Sequence, residues 1–90
     1  MVYMVVERFK DGAAVDIYRR ARDRGRMIPD GLKYVSSWVD LDYTTCFQLM
    51  ETDDFSLFEP WTRAWADLVE FEIIRVRTSS EAAQLIARKL

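Results

Sequence analysis

The sequence predicts a small α+β domain, in which a four-stranded antiparallel sheet carries two helices on one face and a further helix follows at the C-terminus. Three observations predict it. The chain has 90 residues, of which 50% are hydrophobic, so it is large enough for one core and too short for two domains. Apolar residues follow the periods of strands and helices in the order β-α-β-β-α-β-α. Turn and capping residues separate these segments.

The first strand is predicted over residues 2–9, where Val, Met and aromatic residues make both faces apolar before the charged residues begin. A strand that is apolar on both faces is expected at the centre of a sheet. The first helix is predicted over residues 13–24, with Asp11 as its N-cap and Gly25 as its C-terminal stop. Helical spacing gives its buried stripe as Ala14, Ile17, Tyr18 and Ala21.

Two short strands are predicted over residues 32–40 and 45–51. The polar turn between them is short, which predicts an antiparallel hairpin. Strict alternation places Tyr34, Ser36 and Trp38 on one face of the first of these strands. In the second, Cys46, Gln48 and Met50 alternate with Thr45, Phe47, Leu49 and Glu51.

The second helix has two possible starts. An N-cap at Asp53 or Asp54 places Pro60 inside the helix, where it removes a hydrogen bond. An N-cap at Ser56, with Glu59 three residues later as a capping box, places Pro60 near the first turn. Both alternatives end near residue 68 and give the same buried stripe of Leu57, Trp61, Trp65 and Leu68.

The last strand is predicted over residues 70–77, and a capping box of Thr78 and Glu81 begins the C-terminal helix. The order β-α-β-β-α-β is the split-βαβ, ferredoxin-like arrangement. Its sheet has one face without cover in the chain, although the strands are apolar there too. We therefore expect a homodimer, sheet facing sheet, with an interface drawn from Tyr3, Val5, Trp38, Gln48 and Met50.

The residue inventory excludes several classes of site. The chain has no histidine, which removes Ser–His and Cys–His nucleophilic sites, histidine-ligated haem and most zinc sites, so we expect no metal and no cofactor. The single cysteine, Cys46, lies in an apolar stretch and is expected in the core; a reactive thiol is the alternative. The glycines stand alone, so there is no glycine-rich phosphate loop.

The charge is segregated along the chain. Residues 1–33 carry a net charge of +3, residues 34–72 of −8, and residues 73–90 of +3. The acidic centre would repel phosphates, and the third strand lacks the aromatic and basic residues of an RNA-binding sheet, so we expect no nucleic-acid partner. No apolar run approaches the roughly 18 residues of a membrane span. Because the short apolar N-terminus also lacks the pattern of a signal peptide, we expect a cytoplasmic protein without a membrane partner.

Several segments of the chain resemble a family of small prokaryotic proteins catalogued as a domain of unknown function. They are Glu7–Lys10, Arg24–Met27, Ser37–Val39, Cys46–Asp53, Trp65, Asp67–Val69 and Thr78–Ser79. The resemblance covers nearly the whole chain, although Pro60 departs from it. The family is similar to the dimeric α/β-barrel superfamily, which implies a homodimer whose two sheets close on each other. It implies no reaction, since the superfamily includes cofactor-independent monooxygenases, lactone isomerases and haem degraders, whose histidine is absent here.

Candidate site residues lie where strand ends meet the helices. Glu7 and Glu51 each follow an apolar strand run, where a carboxylate beside apolar walls gains a raised pKa and can act as a base. The alternative is that both pair with arginines at the sheet edge. Arg26, next to Gly25, is a candidate for binding an anion. The aromatic residues expected to line a site for a flat ligand are Tyr34, Trp38, Trp61 and Trp65, with interface packing as the alternative for Tyr34 and Trp38.

Two functions stay open at this point. The first is a small homodimeric binding or interaction module with a possible small-molecule ligand. The second is a cofactor-free enzyme, monooxygenase- or isomerase-like, acting on a small aromatic or anionic molecule. A cavity between the sheet and the helices distinguishes them, because a solid core there would exclude the enzyme.

Overall fold

The computed structural model describes residues 1–90 and contains one four-stranded sheet and three α-helices. The elements are β1 (Val2–Phe9), α1 (Ala14–Arg24), β2 (Lys33–Val39), β3 (Thr45–Glu51), α2 (Phe58–Trp65), β4 (Val69–Val76) and α3 (Ser79–Ile86). Single 3-10 turns precede α2 at Phe55–Leu57 and follow α3 at Ala87–Lys89. The sheet order is β2-β3-β1-β4, with every pair antiparallel. The predicted α+β, ferredoxin-like class is confirmed.

The first strand lies at the centre of the sheet, as its two apolar faces predict. It pairs with β3 on one side and β4 on the other, so that Val5 stands opposite both Gln48 and Ile73. One face of the sheet is covered by α1 and α2 and is called the helix side below. The opposite face, which no element of the chain covers, is called the outer face.

The core on the helix side is dominated by α2 rather than by α1. Its cluster of buried residues is Tyr3, Val5, Leu32, Met50, Phe58, Trp61, Trp65 and Val69. The ring of Phe58 meets Tyr3 edge-on at 5.1 Å between centroids. No residue of α1 is buried, and its inward contribution is the partly buried pair Ile17 and Ala21. The predicted stripe is therefore too wide, because Tyr18 is 46% exposed. Thin cover from α1 leaves space between this helix and the sheet.

The predicted start of the first helix is not confirmed, and that of the second is confirmed only in its cap at Asp54. The N-cap of α1 is Ala13, which makes no side-chain cap, so the assignment to Asp11 is wrong. Before α2, the Asp54 side chain accepts a hydrogen bond from the Ser56 N–H at 3.0 Å and caps the 3-10 turn. Pro60 then falls in the first turn of α2, where backbone N–H groups have no partner within the helix and the proline removes nothing.

A β-bulge in β2 overturns the predicted alternation of that strand. Tyr34 stands opposite Met50, but Ser36 stands opposite Leu49, so Val35 is an extra residue. One extra residue moves the following side chains to the other face. Tyr34 therefore lies on the helix side, whereas Trp38 lies on the outer face opposite Phe47.

The bulge and the buried core also correct the expected dimer interface. Tyr3, Val5, Gln48 and Met50 are all buried within the chain on the helix side, so they offer no surface to a partner. Only Trp38 of the expected set lies on the outer face, where it is 55% exposed. Alternation along the strands places other apolar side chains on the outer face, among them Met4, Trp38, Phe47, Leu49 and Ile74.

The C-terminal helix forms as predicted and does not enter the core. The Thr78 hydroxyl accepts a hydrogen bond from the Glu81 N–H at 3.1 Å, the contact expected of its capping box. No residue of α3 is buried, and Leu85 and Ile86 are both more than half exposed. None of the three helices combines the length and apolar character that crossing a bilayer requires.

Candidate functional site

A pocket of about 540 Å³ lies between α1, α2 and the helix side of the sheet. Its volume falls within the roughly 300–1,000 Å³ typical of small-molecule sites. The pocket exists because the small Ala21 and the partly buried Ile17 fill the space under α1 incompletely. Ser37 and Val39 of β2 close its far side with short side chains. The core between the sheet and the helices is therefore not solid.

Glu7 provides the carboxyl group of the pocket. It lies on β1 opposite Cys46, and burial raises its pKa from 4.5 to about 7, against the opposing effects of a hydrogen bond with the Cys46 thiol and the charge of Arg26. Its Oε2 atom is buried and has no hydrogen-bond partner. The alternative of an arginine pair at the sheet edge does not hold for Glu7, because no arginine lies within ion-pair distance of it; Arg8 pairs with Glu72 at 2.9 Å instead.

The thiol beside this carboxyl group is held in its protonated form. Cys46 is buried, as predicted, and burial together with the neighbouring Glu7 raises the pKa of its thiol to about 12. The thiol thus keeps its proton at physiological pH and can donate it in the hydrogen bond with Glu7. This leaves Glu7 as the group of the pocket that titrates near neutrality.

Arg26 stands at the edge of the pocket and is held from several sides. Its Nη1 donates to Oε1 of the buried Gln48 at 3.0 Å, and its guanidinium lies 4.1 Å from the centre of the Tyr34 ring. Its backbone carbonyl accepts from the indole N–H groups of Trp61 at 3.1 Å and Trp65 at 3.0 Å. These contacts fix the position of the arginine before any ligand arrives.

Trp61 and Trp65 form the α2 wall of the pocket. They stand one helical turn apart, and both are buried. Because both indole N–H groups are already bonded to the Arg26 carbonyl, the rings offer apolar surface to the pocket. The Arg20 guanidinium lies over the Trp65 ring, 5.3 Å from its centre, and pairs with Asp67.

The structure brings together only some of the residues suggested by the sequence. Glu7, Arg26, Trp61 and Trp65 all line the pocket. Tyr34 supports Arg26 from below, while Glu51 and Trp38 do not line it. Glu51 is exposed, and the alternation of side chains along β3 places it on the outer face.

One polar residue of the site was assigned to a different role by the sequence. Gln48 lines the pocket and hydrogen-bonds Arg26, although alternation suggested it for the dimer interface. The signal that marks it is a single amide within the apolar strand Cys46–Met50, since a buried amide needs a partner.

A second depression of about 550 Å³ lies on the surface of α1, beside the edge-on pair of Tyr18 and Tyr43. None of its polar groups is buried without a hydrogen-bond partner, so it gives less indication of a bound ligand than the inner pocket does. No group of three or more Cys, Asp and Glu side chains stands close enough together to hold a metal ion.

Comparison with known proteins places the chain in a family without placing it near a characterised protein. No curated protein and no solved structure matches it. The family model described as Domain of unknown function (DUF3303) matches residues 1–90. This agrees with the resemblance seen in the sequence, and the chain therefore belongs to the DUF3303 family.

Proposed function

We propose that the protein is a homodimer that binds a small organic molecule with a flat ring in the pocket between Glu7 and the α2 tryptophans. The observation that carries this proposal is the buried Oε2 of Glu7, which has no partner inside a pocket of about 540 Å³. Leaving a buried polar atom without a hydrogen bond costs about 1–3 kcal/mol. A ligand with a hydrogen-bonding group at this point recovers that cost.

The remaining surface of the pocket supports a flat apolar ligand body. Trp61, Trp65 and Phe9 contribute aromatic surface, and the indole N–H groups already have partners within the chain. Small-molecule sites combine apolar and aromatic walls with a few polar groups that orient the ligand. Glu7 and Arg26 supply those groups here.

Filling the pocket is expected to abolish ligand binding. Ser37 lines the pocket from β2, so Ser37→Phe places an aromatic ring in the space that the ligand would occupy. An edge strand tolerates phenylalanine well, since aromatic residues favour strands. The matched control is Ser36→Phe, whose side chain lies on the outer face opposite Leu49. The readout is NMR titration with 2-naphthamide and 2-naphthoate.

The wild type and Ser36→Phe are expected to bind at least one of the two probes, and Ser37→Phe neither. Binding that survives Ser37→Phe would place the ligand elsewhere on the molecule. Failure of the wild type to bind either probe would contradict the proposed site.

The homodimer is supported by two apolar surfaces that the single chain leaves uncovered. The outer face exposes Trp38 next to Phe47 on neighbouring strands, and it exposes Ile74 on β4, on the other side of β1. The helix α3 exposes Leu85 and Ile86. A second copy offers matching surfaces for both, since monomeric proteins rarely expose extended apolar patches.

Charge also favours a second copy as the occupant of the outer face. The exposed Glu51 and Glu70 lie on this side of the sheet, whereas the chain after α3 carries Arg88 and Lys89. A two-fold arrangement that brings each basic C-terminus to these carboxylates of the other copy would pair opposite charges. Complementary charges of this kind set the orientation of two partners more than their affinity.

A cofactor-free isomerase is the second candidate, and the specific observation in its favour is the Glu7 pKa of about 7. A general base works best when its pKa lies near the working pH. The Glu7 carboxylate would take a proton from a carbon next to a carbonyl group, and the C–H electron pair would move into the carbonyl to form an enolate. The proton then returns from Glu7 to carbon, and no oxidant or cofactor is consumed.

This candidate predicts catalysed deuterium exchange at an acidic C–H bond. With 2-tetralone in D₂O, the wild type is expected to exchange the C1 protons at least 100-fold faster than buffer at pD 8, since general base catalysis contributes about 10²–10⁴-fold. Glu7→Gln is expected to remove the acceleration, and Glu59→Gln, which changes an exposed carboxylate of α2, to retain it. Exchange at the buffer rate in the wild type would exclude the enzyme and leave the binding protein.

A further inference from the structure

Arg26 is a fixed cation of the pocket that lacks an acidic partner. Several other arginines form ion pairs, among them Arg20 with Asp67 and Arg22 with Asp23. Arg26 instead donates one N–H to the neutral amide of Gln48 and stacks on Tyr34. Its remaining guanidinium N–H groups are free to bind, at a place that the chain itself has already ordered.

Apart from Glu7, the charged residues that line the pocket are both arginines, Arg22 and Arg26. Arg22 is paired with Asp23, so whenever Glu7 holds its proton, Arg26 is the charged group of the pocket without an acidic partner. A guanidinium in this state binds a carboxylate through two parallel hydrogen bonds, a strong and directional contact.

We infer that the ligand is an organic carboxylate, held by Arg26 at the edge of the pocket with its ring against Trp65, and that it binds together with a proton on Glu7. This inference rests on the proposed binding function and names the class of ligand. It also gives Glu7 a defined role. Its Oε2 atom has no hydrogen-bond partner in the chain, and the protonated carboxyl group would donate a hydrogen bond from this atom to the ligand.

The groups around Glu7 explain the coupling to a proton. Cys46 faces it from β3, Tyr18 and Arg22 share its pocket from α1, and Arg26 follows that helix. The α2 wall contributes uncharged tryptophans, and β4 contributes the uncharged Phe71 opposite Glu7.

A ligand carboxylate on Arg26 cancels the positive charge that favours ionised Glu7. It also adds a negative charge nearby, and both effects favour the proton. Above the pKa of about 7 that burial gives to Glu7, each binding event must take up a proton, so the affinity falls by up to about tenfold per pH unit.

The test compares two probes of nearly equal shape, 2-naphthoate and 2-naphthamide, by calorimetry at pH 6 and pH 9. For the wild type at pH 6, we expect the carboxylate to bind at least tenfold more tightly than the amide. Arg26→Gln is expected to remove this preference, and Arg26→Lys to retain part of it. Arg77→Gln, which removes an exposed arginine outside the pocket, is expected to leave the preference unchanged.

The proton is tested with the same carboxylate probe. Its affinity is expected to fall at least tenfold between pH 6 and pH 9 in the wild type and less than threefold in Glu7→Gln, whose amide mimics the protonated acid. Equal or tighter binding of the amide would overturn the inference while the binding site stands. A pH-independent affinity in the wild type would overturn the coupling, and the absence of binding by both probes would contradict the proposed function itself.

Discussion

Replacing Glu7 with glutamine is expected to stabilise the protein much more at pH 8 than at pH 4. The gain in the free energy of unfolding should be about 3 kcal/mol larger at pH 8. Burial raises the pKa of Glu7 from 4.5 to about 7 in the folded chain. One unit of pKa corresponds to about 1.4 kcal/mol. The rise in the pKa from 4.5 to about 7 therefore means that ionised Glu7 opposes folding by about 3 kcal/mol at high pH. Glutamine keeps the shape of the side chain and carries no charge at any pH.

The sign follows from where the proton binds. The folded state holds it more tightly than the unfolded state, so the stabilising contribution of Glu7 is complete below pH 4.5. It is lost as the pH rises through about 7. The difference in stability between Glu7→Gln and the wild type should therefore grow across this window, measured by urea unfolding at several pH values.

Glu59→Gln is the control for this measurement, since Glu59 is exposed on α2 and forms an ion pair with Arg63. Its effect is expected to stay within about 0.5 kcal/mol at every pH, as surface pairs contribute little. A Glu7→Gln difference that does not change between pH 4 and pH 8 would show that the folded protein does not bury a titrating carboxyl group in this pocket.

Trp38→Ala is expected to raise the dissociation constant of the proposed homodimer by about 30-fold or more. Trp38 is the largest side chain of the outer face and stands opposite Phe47. Large aromatic residues at the centre of an interface contribute about 2 kcal/mol or more, which corresponds to that factor. Analytical ultracentrifugation over a concentration series measures the constant directly.

Tyr43→Ala is the matched control, because Tyr43 is exposed to a similar degree but packs against Tyr18 of α1 rather than on the outer face. It should leave the dissociation constant unchanged. A wild-type mass of 10.6 kDa at all micromolar concentrations would contradict the homodimer. An unchanged constant in Trp38→Ala would show that the two copies meet through other residues.

The candidate site could be predicted in part because its residues carry local signals. Glu7 interrupts an apolar strand, and Trp61 and Trp65 stand one turn apart on a helix. Arg26 follows the glycine that ends α1. The same reasoning gave Glu51 equal weight with Glu7, since both follow apolar runs. Only the pairing of β1 with β3 places Glu7 on the helix side and Glu51 away from the pocket.

The sequence by itself determined the order of the elements and the fold class. Hydrophobic periods, the Thr78 cap and the turn residues are local properties, and each acts within a few residues of the chain. The lack of histidine likewise follows from the sequence alone and excludes histidine-dependent sites.

Only the tertiary structure decided which face each strand residue occupies. The strands β1 and β3 are apolar on both faces, so the alternation of their side chains does not tell which face is buried. In β2, the extra residue Val35 moves the side chains that follow it to the opposite face. The pocket is also a tertiary property, because it depends on how incompletely α1 covers the sheet. Residues far apart in the chain, Glu7, Arg26, Cys46 and Trp65, meet there because sheet pairing and helix packing act across the whole fold.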